Sequence, residues 1–258
     1  MEKKNTYSKW MTVVLLACVC GLVSCRAEYE VTKVEGTRVA MDATWDAEPD
    51  KDALALLEPY KAGVDSVMGE VKGVAAVSVD RFRPESPLSN LIADVLRQAA
   101  ASVLGRPADV GLVNVGGIRN VLTEGNITTQ NIYEILPFEN SLCVLTLGGA
   151  DLKELCANIA ARGGEGVSGL KLIIDAEGHL LEAKVGGQAI DEGRTYTVGT
   201  IDFLAEGNDG MAALTRASQR QCPEGATLRG LFMDYVERET AAGRKIEARI
   251  EGRVVMKK

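Results

Sequence analysis

The chain has 258 residues, a formal net charge of −7 and a hydrophobic fraction of 46%. An acidic surface repels nucleic-acid phosphate, so the composition argues against a nucleic-acid partner. The sequence contains one histidine, whereas a two-metal hydrolytic centre needs several histidines beside Asp and Asn ligands. It also contains no HExxH, Walker, GxSxG or zinc-spacing pattern.

The first residues have the order of an export signal. Lysines within residues 3–9 precede an almost unbroken apolar run over 11–22, and the lipobox Leu22-Val23-Ser24-Cys25 follows. We expect residues 1–24 to be a signal peptide and Cys25 to be lipidated, so that lipid alone anchors the protein in the cell envelope, facing the periplasm or the surface. The alternative is a short anchor helix followed by an unrelated cysteine.

The rest of the chain alternates helical and strand periodicity. Residues 25–50 are predicted to be a tether and lead-in that contains a strand and a loop. Helices are predicted over 52–71, 87–104, 128–136, 150–161 and 228–240. Strands are predicted over 74–79, 109–113, 142–147, 170–175, 180–185, 195–201 and 246–255. This alternation, without a Rossmann glycine pattern, predicts one mixed α/β or α+β domain over residues 51–258.

Two of the predicted helices have an apolar stripe. In the first, the stripe comprises Leu54, Leu57, Tyr60, Val64 and Val67. In the second, the inner face comprises Leu88, Leu91, Ile92, Val95 and Leu96, with Ser86 or Ser89 as the N-cap.

The cysteines and the histidine offer little chemistry. Cys143 and Cys156 lie in apolar or helical patterns and are expected to be buried free thiols, although one pair among Cys143, Cys156 and Cys222 can oxidise in an exported protein. His179 follows a glycine at a predicted hairpin turn and is expected to be exposed.

Four loops combine polar groups with aromatic residues or glycines. They are Arg81-Phe82-Arg83, Asn114 to Arg119, Leu136 to Asn140 with Phe138, and Phe203 to Gly210 with Asp209. Arginine suits phosphate, aromatic rings stack on flat rings, and a carboxylate accepts sugar hydroxyls. Each loop also has a plain structural explanation, such as a solvated turn or a phenylalanine folded into the core. Together the four match the base, sugar and phosphate of a nucleotide.

At this point the sequence resembles a known family. The segments RFRPESPLSNLIADVLR, NVGGIR, EGNITTQNIYEILPFEN, SLCVLTLGGADLKEL and YTVGTIDFLAEGNDG resemble the C-terminal domain of the 5′-nucleotidases, from about residue 71 to residue 254. The resemblance implies a layered α/β/β/α-type α+β domain with mixed sheets.

The resemblance also implies a role for each loop. Phe138 and Phe203 are expected to sandwich the base, and Asp209 to hold the ribose hydroxyls. Asn114, Arg119 and either Arg81 or Arg83 are expected to bind nucleoside or phosphate oxygens, while Asn140 adds a polar contact to the base. Asn208 stands where the family usually has glycine, and asparagine tolerates a left-handed backbone.

Full-length family members also carry a metallophosphatase domain with two divalent metals, for which this sequence lacks the histidines. We therefore expect no catalytic or metal-binding residue in this chain, and a separate metallophosphatase subunit that supplies both metals for nucleotide hydrolysis. The alternative is a non-enzymatic envelope lipoprotein that captures nucleotides.

Overall fold

The computed structural model describes residues 10–11, 30–40 and 42–257. The predicted lipidation site, Cys25, lies outside the described residues. Contacts divide the chain into a unit up to Leu54 and a second unit from Ala55. Among the described residues, no helix has both the length and the apolar character that a bilayer crossing requires.

In the first unit the expected strand is absent from residues 30–40 and 42–50. Residues 30–40 have no regular structure, and Ala43–Ala47 is a 3-10 helix capped by Asp42. All described residues of this stretch are exposed. Alternating side chains do not form a strand when no neighbouring strand accepts the backbone hydrogen bonds.

Seven α-helices are described from Lys51 onward. They are α1 (Lys51–Met68), α2 (Pro87–Ala99), α3 (Ala101–Leu104), α4 (Thr129–Ile135), α5 (Gly149–Ala161), α6 (Asp202–Ala205) and α7 (Leu228–Ala241). Further 3-10 turns cover Val115–Gly117, Asn208–Gly210 and Ala212–Arg216. The helix expected over 87–104 is therefore two helices that meet at Ala100.

The described strands form three sheets. They are β1 (Val71–Ala75), β2 (Val110–Val113), β3 (Gly125–Thr128), β4 (Leu142–Gly148), β5 (Gly166–Ser168), β6 (Leu170–Ile174), β7 (Leu180–Val185), β8 (Gln188–Ala189), β9 (Thr195–Ile201), β10 (Gln219–Gln221) and β11 (Val254–Met256). The orders are β1-β3, β10-β4-β9-β2-β5 and β11-β6-β7-β8. The predicted α+β class with mixed sheets is confirmed, since β2 runs parallel to β9 but antiparallel to β5.

Helix α2 packs against the five-stranded sheet as its sequence predicts. Ser86 caps it by accepting a hydrogen bond from the Ser89 amide, and Leu88, Ile92 and Leu96 are fully buried. The helix contacts β2, β5 and β9. It approaches β2 so closely that a Cβ at Gly111 would lie 2.3 Å from the Ala93 carbonyl oxygen. Each fully buried leucine or isoleucine contributes about 1.5–3 kcal/mol of transfer free energy.

The closing strand predicted over 246–255 is wrong for most of its length, since only Val254–Met256 forms β11. The buried Glu85 carboxylate accepts the backbone amides of Glu251 and Arg253 at 2.7 and 2.8 Å. These donors are satisfied by a side chain, so they do not pair with another strand.

The thiol prediction is right for Cys156 and wrong for Cys143. Cys156 is free and buried, but Cys143 forms a disulfide with Cys222, and their Cα atoms are 4.2 Å apart. Cys222 follows β10, which pairs with β4 and so brings the two cysteines together. The pairing depends on a strand of three residues, too short to have a detectable period.

Candidate functional site

A cleft of about 350 Å³ lies at one edge of the five-stranded sheet. Its lining residues come from distant segments of the chain: Asn114, Gly116, Gly117, Arg119, Phe138, Asn140, Arg162, Phe203 and Asp209.

Sheet topology explains why these segments meet. Strands β2 and β9 run parallel, so the loops after Val113 and Ile201 leave the same edge. Strands β4 and β5 run antiparallel to these neighbours, pairing Leu142 with Ile201 and Gly166 with Val113. The segments that precede β4 and β5 therefore reach the same edge, as ligand-binding loops commonly do in α/β proteins.

Two phenylalanines line the cleft without being buried in the core. Phe138 is 50% exposed and Phe203 is 38% exposed. Asp202 joins their loops, because its Oδ1 accepts hydrogen bonds from Asn140 Nδ2 at 3.1 Å and from the Phe203 amide at 2.8 Å. The cleft thus offers apolar ring faces held in place by a polar contact.

Asp209 has a left-handed backbone, with φ 55°, between the left-handed Gly207 and Gly210. The residue that tolerates this conformation is therefore Asp209 and not Asn208, whose side-chain amide instead donates to the Phe203 carbonyl. The Asp209 carboxylate accepts a hydrogen bond from Asn114 Nδ2 at 2.7 Å, on the Oδ2 atom. An uncommon backbone conformation held by neighbouring contacts is a frequent feature of ligand sites.

The glycine turn after β2 brings backbone to the cleft wall. Gly116 and Gly117 both line the cleft. A Cβ at Gly117 would lie 2.7 Å from Asn114 Oδ1, so a side chain there would displace the buried asparagine. Arg119, at the end of the turn, is exposed and donates from Nη1 to the Gly116 carbonyl at 3.1 Å.

The cleft brings together six of the eight substrate-binding residues expected from sequence. Arg81 and Arg83 are not among its lining residues. Arg83 instead donates to the Gly164 carbonyl at 2.8 Å and to Glu165 Oε1 at 2.6 Å.

Two charged residues at this edge, Arg162 and Glu165, were not predicted from the sequence. Arg162 is the C-cap of α5 and lines the cleft, while the Glu165 side chain is completely buried. Glu165 accepts Arg162 Nε at 2.6 Å, and this hydrogen bond raises the pKa of the guanidinium above its usual range. The available signal was a pair of opposite charges flanking two glycines directly after a helix, which also suits an ordinary helix end.

Among the described residues, no three His, Cys, Asp or Glu side chains cluster as ligands. His179 lies in the turn between β6 and β7 as predicted, is 74% exposed in its side chain, and contacts Asp175 at 2.9 Å.

Comparisons with known proteins agree with this architecture. The family model "5′-nucleotidase, C-terminal domain" matches residues 67–216. Endonuclease YhcR of Bacillus subtilis is 36% identical over 166 residues, which cover 61% of this chain and 13% of that protein. Cell wall protein Lmo0130 of Listeria monocytogenes is 30% identical over 236 residues, covering 81% of this chain and 30% of that protein.

A solved structure gives the same result. The 5′-nucleotidase precursor from Thermus thermophilus aligns with a TM-score of 0.68 and 30% identity, covering 82% of this chain and 44% of that one. This chain thus spans less than half of the length of these relatives. The resemblance of its motifs is confirmed, and the chain belongs to the family of 5′-nucleotidase C-terminal domains.

Proposed function

We propose that this chain is the nucleotide- or nucleoside-binding half of a 5′-nucleotidase. The observation that carries the proposal is one cleft with two half-exposed phenylalanines, a carboxylate and two guanidiniums. Membership of the nucleotidase family supports the same ligand class.

Each group in the cleft has a part in binding. Phe138 and Phe203 offer their faces to the base, because aromatic rings stack on flat heterocycles. Asp209 accepts hydrogen bonds from ribose hydroxyls. Arg119 binds phosphate oxygens with its planar fork of donors. Asn140 donates from Nδ2 to Asp202, and its carbonyl Oδ1 is the group that we propose adds a polar contact to the base.

Hydrolysis in this proposal needs a separate metallophosphatase chain. Its two divalent metals would polarise the phosphate and generate the attacking hydroxide. The residues of this chain bind the nucleoside and orient the phosphate toward that partner, so that catalysis depends on positioning.

We also propose an envelope location with lipid attached at Cys25. The similarity to a cell wall protein supports an envelope location. The disulfide between Cys143 and Cys222 suits an oxidising compartment outside the cytosol. Mass spectrometry of the purified protein tests the anchor, because an N-terminal peptide that begins with unmodified Cys25 or earlier residues contradicts it.

Titration calorimetry with adenosine and AMP tests ligand binding. Phe203→Ala is expected to weaken adenosine binding by about 1–3 kcal/mol, the usual loss for a removed base-stacking contact. Phe82→Ala is the matched control, since Phe82 is 43% exposed but is not among the residues that line the cleft. Equal affinity of wild type and Phe203→Ala would remove Phe203 from the site.

A phosphate-release assay with AMP tests whether hydrolysis needs the separate metallophosphatase chain. We expect release only when a metallophosphatase from the same organism and divalent metal are both added. Ligand binding without release in any mixture favours the second candidate, a nucleotide-capture lipoprotein. Metal-dependent release by the isolated, phosphatase-free chain contradicts both.

A further inference from the structure

A buried carboxylate, that of Glu165, contacts a residue that lines the cleft. Glu165 lies between α5 and β5 with its side chain completely buried. Its Oε1 accepts Arg83 Nη2 and Arg162 Nε, both at 2.6 Å, and its Oε2 accepts the Val115 amide at 2.6 Å. A buried carboxylate is stable only when paired and hydrogen-bonded in this way, so Glu165 holds its donors in one arrangement.

Arg162 connects this buried carboxylate to the cleft. Its Nε is held by Glu165, while its Nη2 lies 3.3 Å from Asp209 Oδ2. The side chain is 32% exposed and lines the cleft. Because the guanidinium is planar and rigid, fixing one nitrogen also fixes the direction of the others.

The Asp209 carboxylate makes two contacts with the described residues, and both fall on the same oxygen. Asn114 Nδ2 and Arg162 Nη2 approach Oδ2 at 2.7 and 3.3 Å. Within the part of the chain that the structure describes, no hydrogen bond or ion pair engages Asp209 Oδ1. The carboxylate is 27% exposed and lines the cleft. One oxygen is thus held in place and the other is available to a ligand donor.

We propose that Arg162 is a positioning residue that, anchored by Glu165, aims Asp209 Oδ1 at the hydroxyl groups of the ligand sugar. The inference rests on the proposed nucleoside-binding function and deepens it. Arg162 then determines specificity, because its contribution exists only for ligands that carry the ribose hydroxyls. If the Asp209 carboxylate is already oriented before the ligand binds, less side-chain conformational entropy is lost on binding.

The test is calorimetry on the full chain with two probes, adenosine and 2′,3′-dideoxyadenosine. Removing Arg162 in Arg162→Met is expected to weaken adenosine binding by about tenfold, as for other charge-assisted contacts. Dideoxyadenosine binding is expected to change less than about twofold, since no hydroxyl then reaches Asp209. Equal weakening for both probes overturns the proposal, because a general structural role would produce it.

Two further variants complete the test, one in case Arg162→Met does not fold and one as a control. Arg162→Gln keeps a side-chain donor for the buried Glu165 but loses the charged contact to Asp209, so the same loss of selectivity is expected if Arg162→Met does not fold. Arg216→Met is the matched control, because Arg216 is also paired with two acids, Asp151 and Glu154, but is not among the residues that line the cleft. Arg216→Met is expected to change neither the affinity for adenosine nor the affinity for dideoxyadenosine.

A double-mutant cycle with Asp209→Asn measures how strongly Arg162 and Asp209 are coupled in adenosine binding. In that background Arg162→Met is expected to have less than about a twofold further effect on adenosine binding, since coupled residues do not contribute additively. If the two substitutions weaken adenosine binding by factors that multiply, Arg162 and Asp209 act independently and the proposal is overturned.

The failure of this inference can be told apart from the failure of the proposed function. If wild type binds adenosine and Phe203→Ala weakens that binding while Arg162→Met does not, only this inference fails. If wild type does not bind adenosine, the proposed function fails as well.

Discussion

Cys156 is a residue whose chemistry is set by its surroundings. It lies on α5, and burial raises the pKa of its thiol to about 12. The thiolate is the nucleophilic form, so a raised pKa suppresses alkylation and oxidation at neutral pH. Cys156 therefore acts as a small apolar side chain in the interior.

We expect Cys156 in the folded protein to resist iodoacetamide at pH 8. With a pKa of about 12, only about one thiol in ten thousand is ionised at that pH, and burial also blocks access. The reactivity is expected to rise as the pH approaches the raised pKa or when urea unfolds the chain. Peptide mass spectrometry measures the modification, and rapid labelling of the folded protein at pH 8 would contradict the burial.

The charged residues of the cleft also acquire their role at this scale. Arg83 and Arg162 share the Glu165 carboxylate, although Arg83 is 82 positions away from Glu165 along the chain. The family resemblance implied that either Arg81 or Arg83 binds nucleoside or phosphate oxygens. The structure turns Arg83 toward the buried carboxylate and brings Arg162 into the cleft lining.

At the scale of elements, helices α1 and α2 differ although both have an apolar stripe. On α2 the stripe is buried, with Leu88, Ile92 and Leu96 fully enclosed. On α1 it is exposed, with Leu57 at 59% and Val64 at 54%. Periodicity shows which face of a helix is apolar, but packing requires a neighbouring element to cover that face.

We expect substitution of the α1 stripe to leave stability nearly unchanged. Leu57→Gln and Val64→Gln are expected to shift the free energy of unfolding by less than about 0.5 kcal/mol, since they remove no buried contact. Ile92→Ala is the comparison on α2 and is expected to cost about 2–5 kcal/mol through the cavity that it leaves. Urea denaturation measures all three. If Leu57→Gln lowered the free energy of unfolding as much as is expected for Ile92→Ala, the α1 stripe would be buried in solution and the expectation would be wrong.

At the scale of the whole molecule, the disulfide joins parts of the chain that lie 79 residues apart. Cys143 belongs to the interior strand β4, whereas Cys222 follows the exposed edge strand β10. The bond therefore ties a short edge strand to the interior of the sheet and restricts the unfolded chain.

We expect the double substitution Cys143→Ala/Cys222→Ser to lower the free energy of unfolding by about 2–4 kcal/mol, mostly through the unfolded state. Dithiothreitol is expected to destabilise wild type by a similar amount and to leave the double variant unchanged. Thermal denaturation with and without reductant measures both effects. A wild-type melting temperature that does not respond to complete reduction would contradict the stabilising role.

Much of the architecture was predictable because its signals are local. Strand β9 spans residues 195–201 as its apolar pattern predicts, and α2 begins at the Ser86 cap. Strands β3, β5, β8 and β10 were missed because they contain two to four residues, too few for a period to be detected. The end of the chain was misjudged because Glu85, far away in sequence, takes the amides that a strand would have used.

By itself the sequence determined the family, the mixed α+β class and six of the residues that line the cleft, because glycine turns, isolated phenylalanines and motif order are properties of short segments. The tertiary structure decided that Cys143 pairs with Cys222, that the α1 stripe stays exposed, and that Arg162 and not Arg83 lines the cleft. These outcomes depend on which distant groups become neighbours. A buried carboxylate takes whichever donors the fold brings within hydrogen-bond distance, and sequence spacing does not reveal them.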